Sequence, residues 1–202
     1  YSTQGKEWTL RNDDGDSETV VTKYWDEEKR YRYDTYEVFD TSGATRELVS
    51  RRVEKRRAAD WGDVVVQITR RVDANTDLVE TRDYYWDSED DGYGLLKSVQ
   101  RADGSWDYYE YDSLGRTTHH YSSWKDVTLA NRTSARLRRY YYTSQTQEDT
   151  VGPQERRVRK IVESINGVTT GIQFFAYYTD ANDSHWIIRE RGADQNSSYG
   201  DA

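Results

Sequence analysis

The sequence predicts an all-β fold, an antiparallel hairpin or meander array forming an extended or curled sheet. Three observations carry this prediction. Aromatic and β-branched residues recur with period two in run after run, the spacing that puts one set of side chains on one face of a strand. Short Asp-, Asn- and Gly-containing stretches separate those runs at regular intervals, as turns do between strands. The chain holds a single proline, Pro153, so nearly every run keeps the N–H groups that a ladder needs.

Composition narrows the class further. Leu, Ile, Val and Phe total 33 of 202 residues, few for a compact sandwich, while 18 Tyr and 7 Trp supply ring area instead. A thin, aromatic-rich core with much polar surface follows. The expected organisation is one β-repeat array over residues 1–191 and a small-residue polar tail over 192–202. A net charge of −8 argues against nucleic acid as a partner, because phosphate binding needs excess positive charge. No apolar run approaches the ~20 residues of a membrane-spanning helix. The chain has neither Cys nor Met, so no disulfide braces it, and Tyr1 reads as a processed or cut end.

In chain order, Glu7–Leu10 and Thr19–Trp25 read as the arms of a first hairpin around the turn Asn12–Asp16. Residues 29–40 alternate Tyr31, Tyr33 and Phe39 with charged positions. The basic stretch Glu47–Val53 continues the alternation. Arg46–Ala59 is the longest helix-compatible window, and a short helix with basic faces is its alternative reading. Trp61–Val72, with Val64, Val65, Val66 and Ile68, is the most β-branched strand; Asp73–Asp77 turns it into Leu78–Trp86. Asp103-Gly104 between Leu95–Ala102 and Ser105–Tyr111, and Asn166-Gly167 between Val158–Ile165 and Val168–Tyr178, each predict a two-residue type I′ hairpin turn. Ser134–Thr143 is a further strand.

One stretch carries more than periodicity. In Tyr109-Glu110-Tyr111-Asp112-Ser113-Leu114-Gly115-Arg116, two rings alternate along a strand and Asp112 closes it. A short carboxylate there accepts a backbone N–H two residues on, and Gly115 supplies the positive φ that the turn requires. Phe39, Asp40 and Gly43 repeat the aromatic, Asp and Gly, with Ala44 where arginine is expected; Trp86 and Asp87 repeat the strand end. Trp25-Asp26 and Tyr177–Asp180 are weaker echoes. This spaced, imperfect self-similarity resembles the YD-repeat, or Rhs-repeat, family, whose repeat runs aromatic-x-Tyr-Asp-x-x-Gly-Arg. The resemblance covers residues 18–125. It implies a secreted or cell-surface, typically bacterial, protein whose repeats build long antiparallel sheets, either as shells around toxins or within large adhesion receptors. This chain is far shorter than such shells and lacks their proline-rich closing region.

Few residues invite chemistry. His119 and His120 are adjacent, so they point to opposite faces of a strand, and His185 stands apart. With no Cys and no nucleophile elbow, no catalytic, cofactor or metal residue is assigned and no enzyme is expected. The acidic turns around Gly15 and before Gly92 lack the spacing of a calcium loop. Sequons stand at Asn131, Asn182 and Asn196. The basic cluster Arg51, Arg52, Lys55, Arg56 and Arg57 and the acidic run Asp87, Glu89, Asp90 and Asp91 are candidate self-association residues, matched by charge. An array that does not close leaves two edges able to pair. The expected function is therefore an extracellular or cell-surface structural subunit that assembles with copies of itself into a fibre through sheet edges or terminal segments, 1–11 or 192–202. A glycan-binding adhesin module using surface Tyr and Trp, or a fragment of a larger Rhs-type shell, is the alternative.

Overall fold

Period-two patterning becomes strand wherever the chain is described. The structure is a computed structural model that describes residues 6–11, 15–26, 28, 30–143, 156–179 and 185–192, with backbone alone for 6–11, 178–179 and 185–192. The strands are β1 (Lys6–Arg11), β2 (Ser17–Trp25), β3 (Tyr31–Asp40), β4 (Glu47–Ala59), β5 (Gly62–Arg71), β6 (Asp77–Tyr84), β7 (Leu96–Gln100), β8 (Trp106–Tyr111), β9 (Thr117–Ser122), β10 (Arg136–Tyr141), β11 (Lys160–Ile165), β12 (Val168–Thr179) and β13 (His185–Gly192). Among the described residues one 3-10 turn, Leu129–Ser134, is the helical exception. The fold is thus all-β, and within each unit described below chain-neighbouring strands pair antiparallel, a meander.

The chain divides into two compact units, residues 1–83 with 99–104, and residues 84–98 with 105–202. In the first, β1 to β6 pair in chain order. The window Arg46–Ala59, the one with helical character, holds the 13-residue strand β4 from Glu47 onward. Its alternating charges find register partners on β3 and β5, and tertiary pairing overrides local propensity. Among the described residues this unit buries Val20, Ile68 and Val99, but also Glu18, Asp34, Thr35 and Glu54.

In the second unit, β8 to β13 pair in chain order. Trp106, Tyr121, Ala135 and Leu137 form a core against which Tyr108, Trp124, Val127 and Leu129 pack. Trp106 Nε1 donates to the Val127 carbonyl at 2.8 Å, so the connection before the 3-10 turn is tied to the core by the indole's polar edge. On β12, Ile172, Phe174 and Ala176 are buried at every second position, the signature of a strand with one covered face.

The two expected type I′ turns differ. Asn166 (φ 50°) and Gly167 (φ 77°) both lie in the left-handed region, as type I′ demands. At Asp103-Gly104 the expectation is corrected: only Gly104 is left-handed (φ 81°), and its N–H reaches the Arg101 carbonyl at 3.0 Å. The turn that this bond closes has Ala102 and Asp103 at its centre, neither with positive φ, and Gly104 follows it in the left-handed region, the pattern of a three-residue hairpin loop. Asn12, Asp13 and Asp14 of the first turn, and the proposed tail beyond Gly192, lie outside the described residues; Gly192 itself ends β13.

Candidate functional site

The repeat motif folds into a turn held by one carboxylate. Asp112 Oδ1 accepts the backbone N–H of Leu114 at 3.1 Å and of Arg116 at 3.0 Å. Asp112 Oδ2 accepts Arg116 Nε at 2.7 Å, with a second guanidinium nitrogen at 2.6 Å. The Gly115 N–H closes on the Asp112 carbonyl at 2.8 Å, with Gly115 at φ 71°. Burial raises the Asp112 pKa, but hydrogen bonds from the Arg116 side chain and from the Arg116 and Leu114 backbone outweigh it and hold the carboxyl below its ordinary value. Arg116 also lies 4.4 Å over the ring of Tyr142, whose hydroxyl donates to the Thr117 carbonyl at 2.8 Å.

The motif's tyrosines are engaged by neighbouring strands. The Tyr111 hydroxyl donates to the Leu96 carbonyl at 2.8 Å, and its ring meets Tyr85 edge-on at 5.9 Å. Burial, with the neighbouring Tyr109, pushes the Tyr111 phenol up to about 12. Gly92 fits against the Tyr111 ring because a Cβ there would come within 2.6 Å of it. Tyr109 stacks on His120 at 4.7 Å, and its carbonyl accepts the Tyr85 hydroxyl at 2.8 Å.

Asp acts in the same way after other strands, at Asp26, Asp40 and Asp87, which echo the motif, and at Asp73, which does not. Asp26 Oδ1 accepts the Arg30 N–H at 2.7 Å, Asp40 Oδ1 the Ser42 N–H at 2.8 Å, Asp73 Oδ1 the Asn75 N–H at 2.8 Å and Asp87 Oδ1 the Glu89 N–H at 3.0 Å. At Asp40, the Ser42 hydroxyl and N–H lower the carboxyl pKa. Ala44 stands there where the motif has arginine; Arg46, two positions on, pairs with Glu18 at 2.9 Å and sits 3.5 Å over the Phe39 ring. Trp86 meets Tyr84 edge-on at 5.7 Å.

The turns of Asp87 and Asp112 line one cleft of about 720 Å³, with Ser88–Tyr93 and Leu95 on one wall, Ser113–Arg116 on another, and Tyr142 and Arg156 beside them. Carboxylates and guanidinium groups face into the same open space. In the first unit, Tyr24, Tyr33, Arg51, Val53, Lys55, Gln67, Thr69, Arg71 and Asp77 line a smaller cleft of about 200 Å³.

The basic cluster is engaged within its own sheet. Lys23, Asp34, Glu54, Ile68 and Glu80 form one cross-strand row. Asp34 (2% exposed) and Glu54 (6%) are directly opposed in it, a like-charge contact that burial makes costly. Arginines offset it. Arg32 grips Asp34 through Nε at 3.0 Å and a second nitrogen at 3.1 Å, and reaches Asp63 at 2.5 Å. Arg56 bridges the pair, 3.2 Å from Asp34 and 2.6 Å from Glu54, and Arg52 binds Glu54 from the other side. Arg51 lies 3.4 Å from Glu37, and Lys55 Nζ rests 3.9 Å over the Tyr31 ring. Arg57 pairs with Tyr31 in register. Sequence reasoning missed this network because Asp34 and Glu37 lie on β3 and Asp63 on β5, and because Glu54, two residues from both Arg52 and Arg56 on β4, was not set against them.

His120 Nε2 lies 2.7 Å from Asp107, and His119 Nδ1 lies 3.2 Å from Glu110. Burial lowers the His119 pKa, Glu110 opposes it and Arg139 reinforces it, with a net shift below the ordinary value. The His185 side chain lies outside the described residues. Among the described residues, no three His, Asp or Glu side chains are grouped as a metal ion would need.

No family model matches the chain, and no curated protein matches it. Among solved structures, the chain is similar to a porin-like protein from Bacteroides uniformis at 10% identity, over 91% of this chain and 92% of that one, with a TM-score of 0.30.

Proposed function

We propose that this chain is an extracellular or cell-surface structural subunit, a YD-repeat-like β-meander that assembles by accepting further strands at its sheet edges. The observation that carries the reading is the pairing pattern. Among the described residues, β1 pairs only with β2 and β13 only with β12, so each keeps one side of its backbone for another strand. Neither Lys6–Arg11 nor His185–Gly192 contains proline to block such pairing. Because Lys6–Arg11 is already laid against β2, assembly works by edge addition to β1 rather than by release of that segment. The added strand comes from another copy of the chain, or from flanking repeats of a longer Rhs-type sheet. Proline placed singly at Arg189 and at Glu190 tests this. Adjacent strand residues send their N–H groups to opposite sides, so one of the two leaves the β12 ladder intact. That variant is expected to stay folded and lose assembly; assembly retained in a folded variant of each kind overturns the proposal.

A glycan-binding module is the second reading, favoured by the Tyr24, Tyr33, Lys55 and Gln67 side chains gathered at the cleft of about 200 Å³. It predicts saturable binding of an oligosaccharide by the monomer, with loss on Tyr24→Ala.

A further inference from the structure

A chain with no cysteine has no disulfide to staple its strands, and this one has 18 tyrosines. We propose that Tyr24 and Tyr33 are a built site for an intramolecular dityrosine cross-link, formed when the protein meets a one-electron oxidant of the peroxidase and hydrogen peroxide class. The inference does not depend on the assembly reading.

Geometry makes the pair suitable. Tyr24 on β2 and Tyr33 on β3 are register partners, so both rings leave the same face of adjacent strands. Their rings are parallel, 4.9 Å apart and 8° from coplanar orientation. Tyr24 is 41% exposed, and neither hydroxyl has a hydrogen-bond partner among the described residues. Both line the cleft of about 200 Å³, which leaves a ring room to swing from stacked toward biaryl geometry.

The other ring-paired tyrosines among the described residues lack these features. Tyr85 and Tyr111 meet at 82°, with both phenols bonded to backbone carbonyls. Tyr108 and Tyr121 meet at 66°, and Tyr121 is buried.

The chemistry balances as follows. Each phenol gives one electron to the oxidant and one proton to water, leaving two neutral phenoxyl radicals. These combine at ring carbons ortho to the oxygens, forming one C–C bond. Each of those carbons then passes its hydrogen back to oxygen by tautomerisation. The protein loses two hydrogens, and one hydrogen peroxide is reduced to two waters. The product ties β2 to β3 covalently at the end nearest Asp26.

The test is treatment of dilute protein with a peroxidase and hydrogen peroxide, followed by intact mass, peptide mapping and fluorescence. The expected product is a monomer lighter by two hydrogens, fluorescent as dityrosine, with the link mapped to Tyr24 and Tyr33. Tyr24→Phe and Tyr33→Phe keep both rings and the stack, so folding is retained. Each is expected to lower the yield of monomeric dityrosine at least about tenfold, since the remaining tyrosines lack the mM-range effective concentration of a register pair. Links that map to other tyrosines, that form only between chains, or that persist undiminished in Tyr24→Phe overturn the proposal, as does the absence of any link.

Discussion

At the scale of single residues, carboxylates set the conformation. Asp112 accepts two backbone N–H groups and a guanidinium, and its pKa lies below the ordinary value in the folded state. A depressed folded value means the stabilisation is present above the unfolded pKa, about 4, and is lost as pH falls through the folded value. Stability measured by urea unfolding is therefore expected to fall below about pH 4, and Asp112→Asn is expected to lower stability at pH 7 while flattening that acid slope. His119 is also depressed, chiefly by burial, so its contribution is present above about pH 6.5 and lost on acidification below that. In the first unit, Arg56→Gln leaves the opposed carboxylates of Asp34 and Glu54 without their bridge. Urea unfolding is expected to show a loss of about 3 kcal/mol. The exposed Arg30–Glu28 pair, 2.9 Å long, is expected to contribute under about 1 kcal/mol when Arg30 is replaced by Gln.

At the scale of elements, turns and strands were legible to different degrees. Asx-type turns at Asp40, Asp87 and Asp112 were readable because the carboxylate acts on N–H groups two to four residues away, within the same sequence window. Gly92 belongs to a different case. Its φ of 90° and the Tyr111 ring it faces are both set by the fold. Gly92→Ala is expected to destabilise the second unit by about 1–3 kcal/mol in thermal or urea unfolding, from the strained φ and the displaced ring. The Asp103-Gly104 turn kept its glycine and changed its type, since dipeptide preference does not fix which residue becomes left-handed. The 3-10 turn at Leu129–Ser134 and strand β13 had no reading in the sequence. The first lacks a helix-length apolar period and follows from packing over Trp106 and Tyr121. The alternation Trp186, Ile188 is too brief to stand out from its polar surroundings. The charged face of β3 and β4 was seen as a basic cluster; its partners Asp34 and Glu37 emerge only once register is known, whereas Glu54 lies two residues from Arg52 and Arg56 on the same strand face. Of the candidate self-association residues, Arg51, Arg52 and Arg56 are thus committed to intrasheet pairs, whereas Glu89, Asp90 and Asp91 lie exposed on the rim of the larger cleft.

At the scale of the whole molecule, the account rests on pairing that follows chain order within each unit. Such a meander is assembled from local hairpins, each satisfying its own backbone groups, and among the described residues β1 and β13 each keep one side unpaired. Edge pairing is concentration-dependent when the added strand belongs to another copy. The measurement that tests this most directly is multi-angle light scattering over a wide range of protein concentration, with negative-stain electron microscopy of the same samples. The account predicts oligomers that grow with concentration into head-to-tail arrays, reverting to monomer in the edge-proline variant. A monodisperse monomer at every concentration would contradict it.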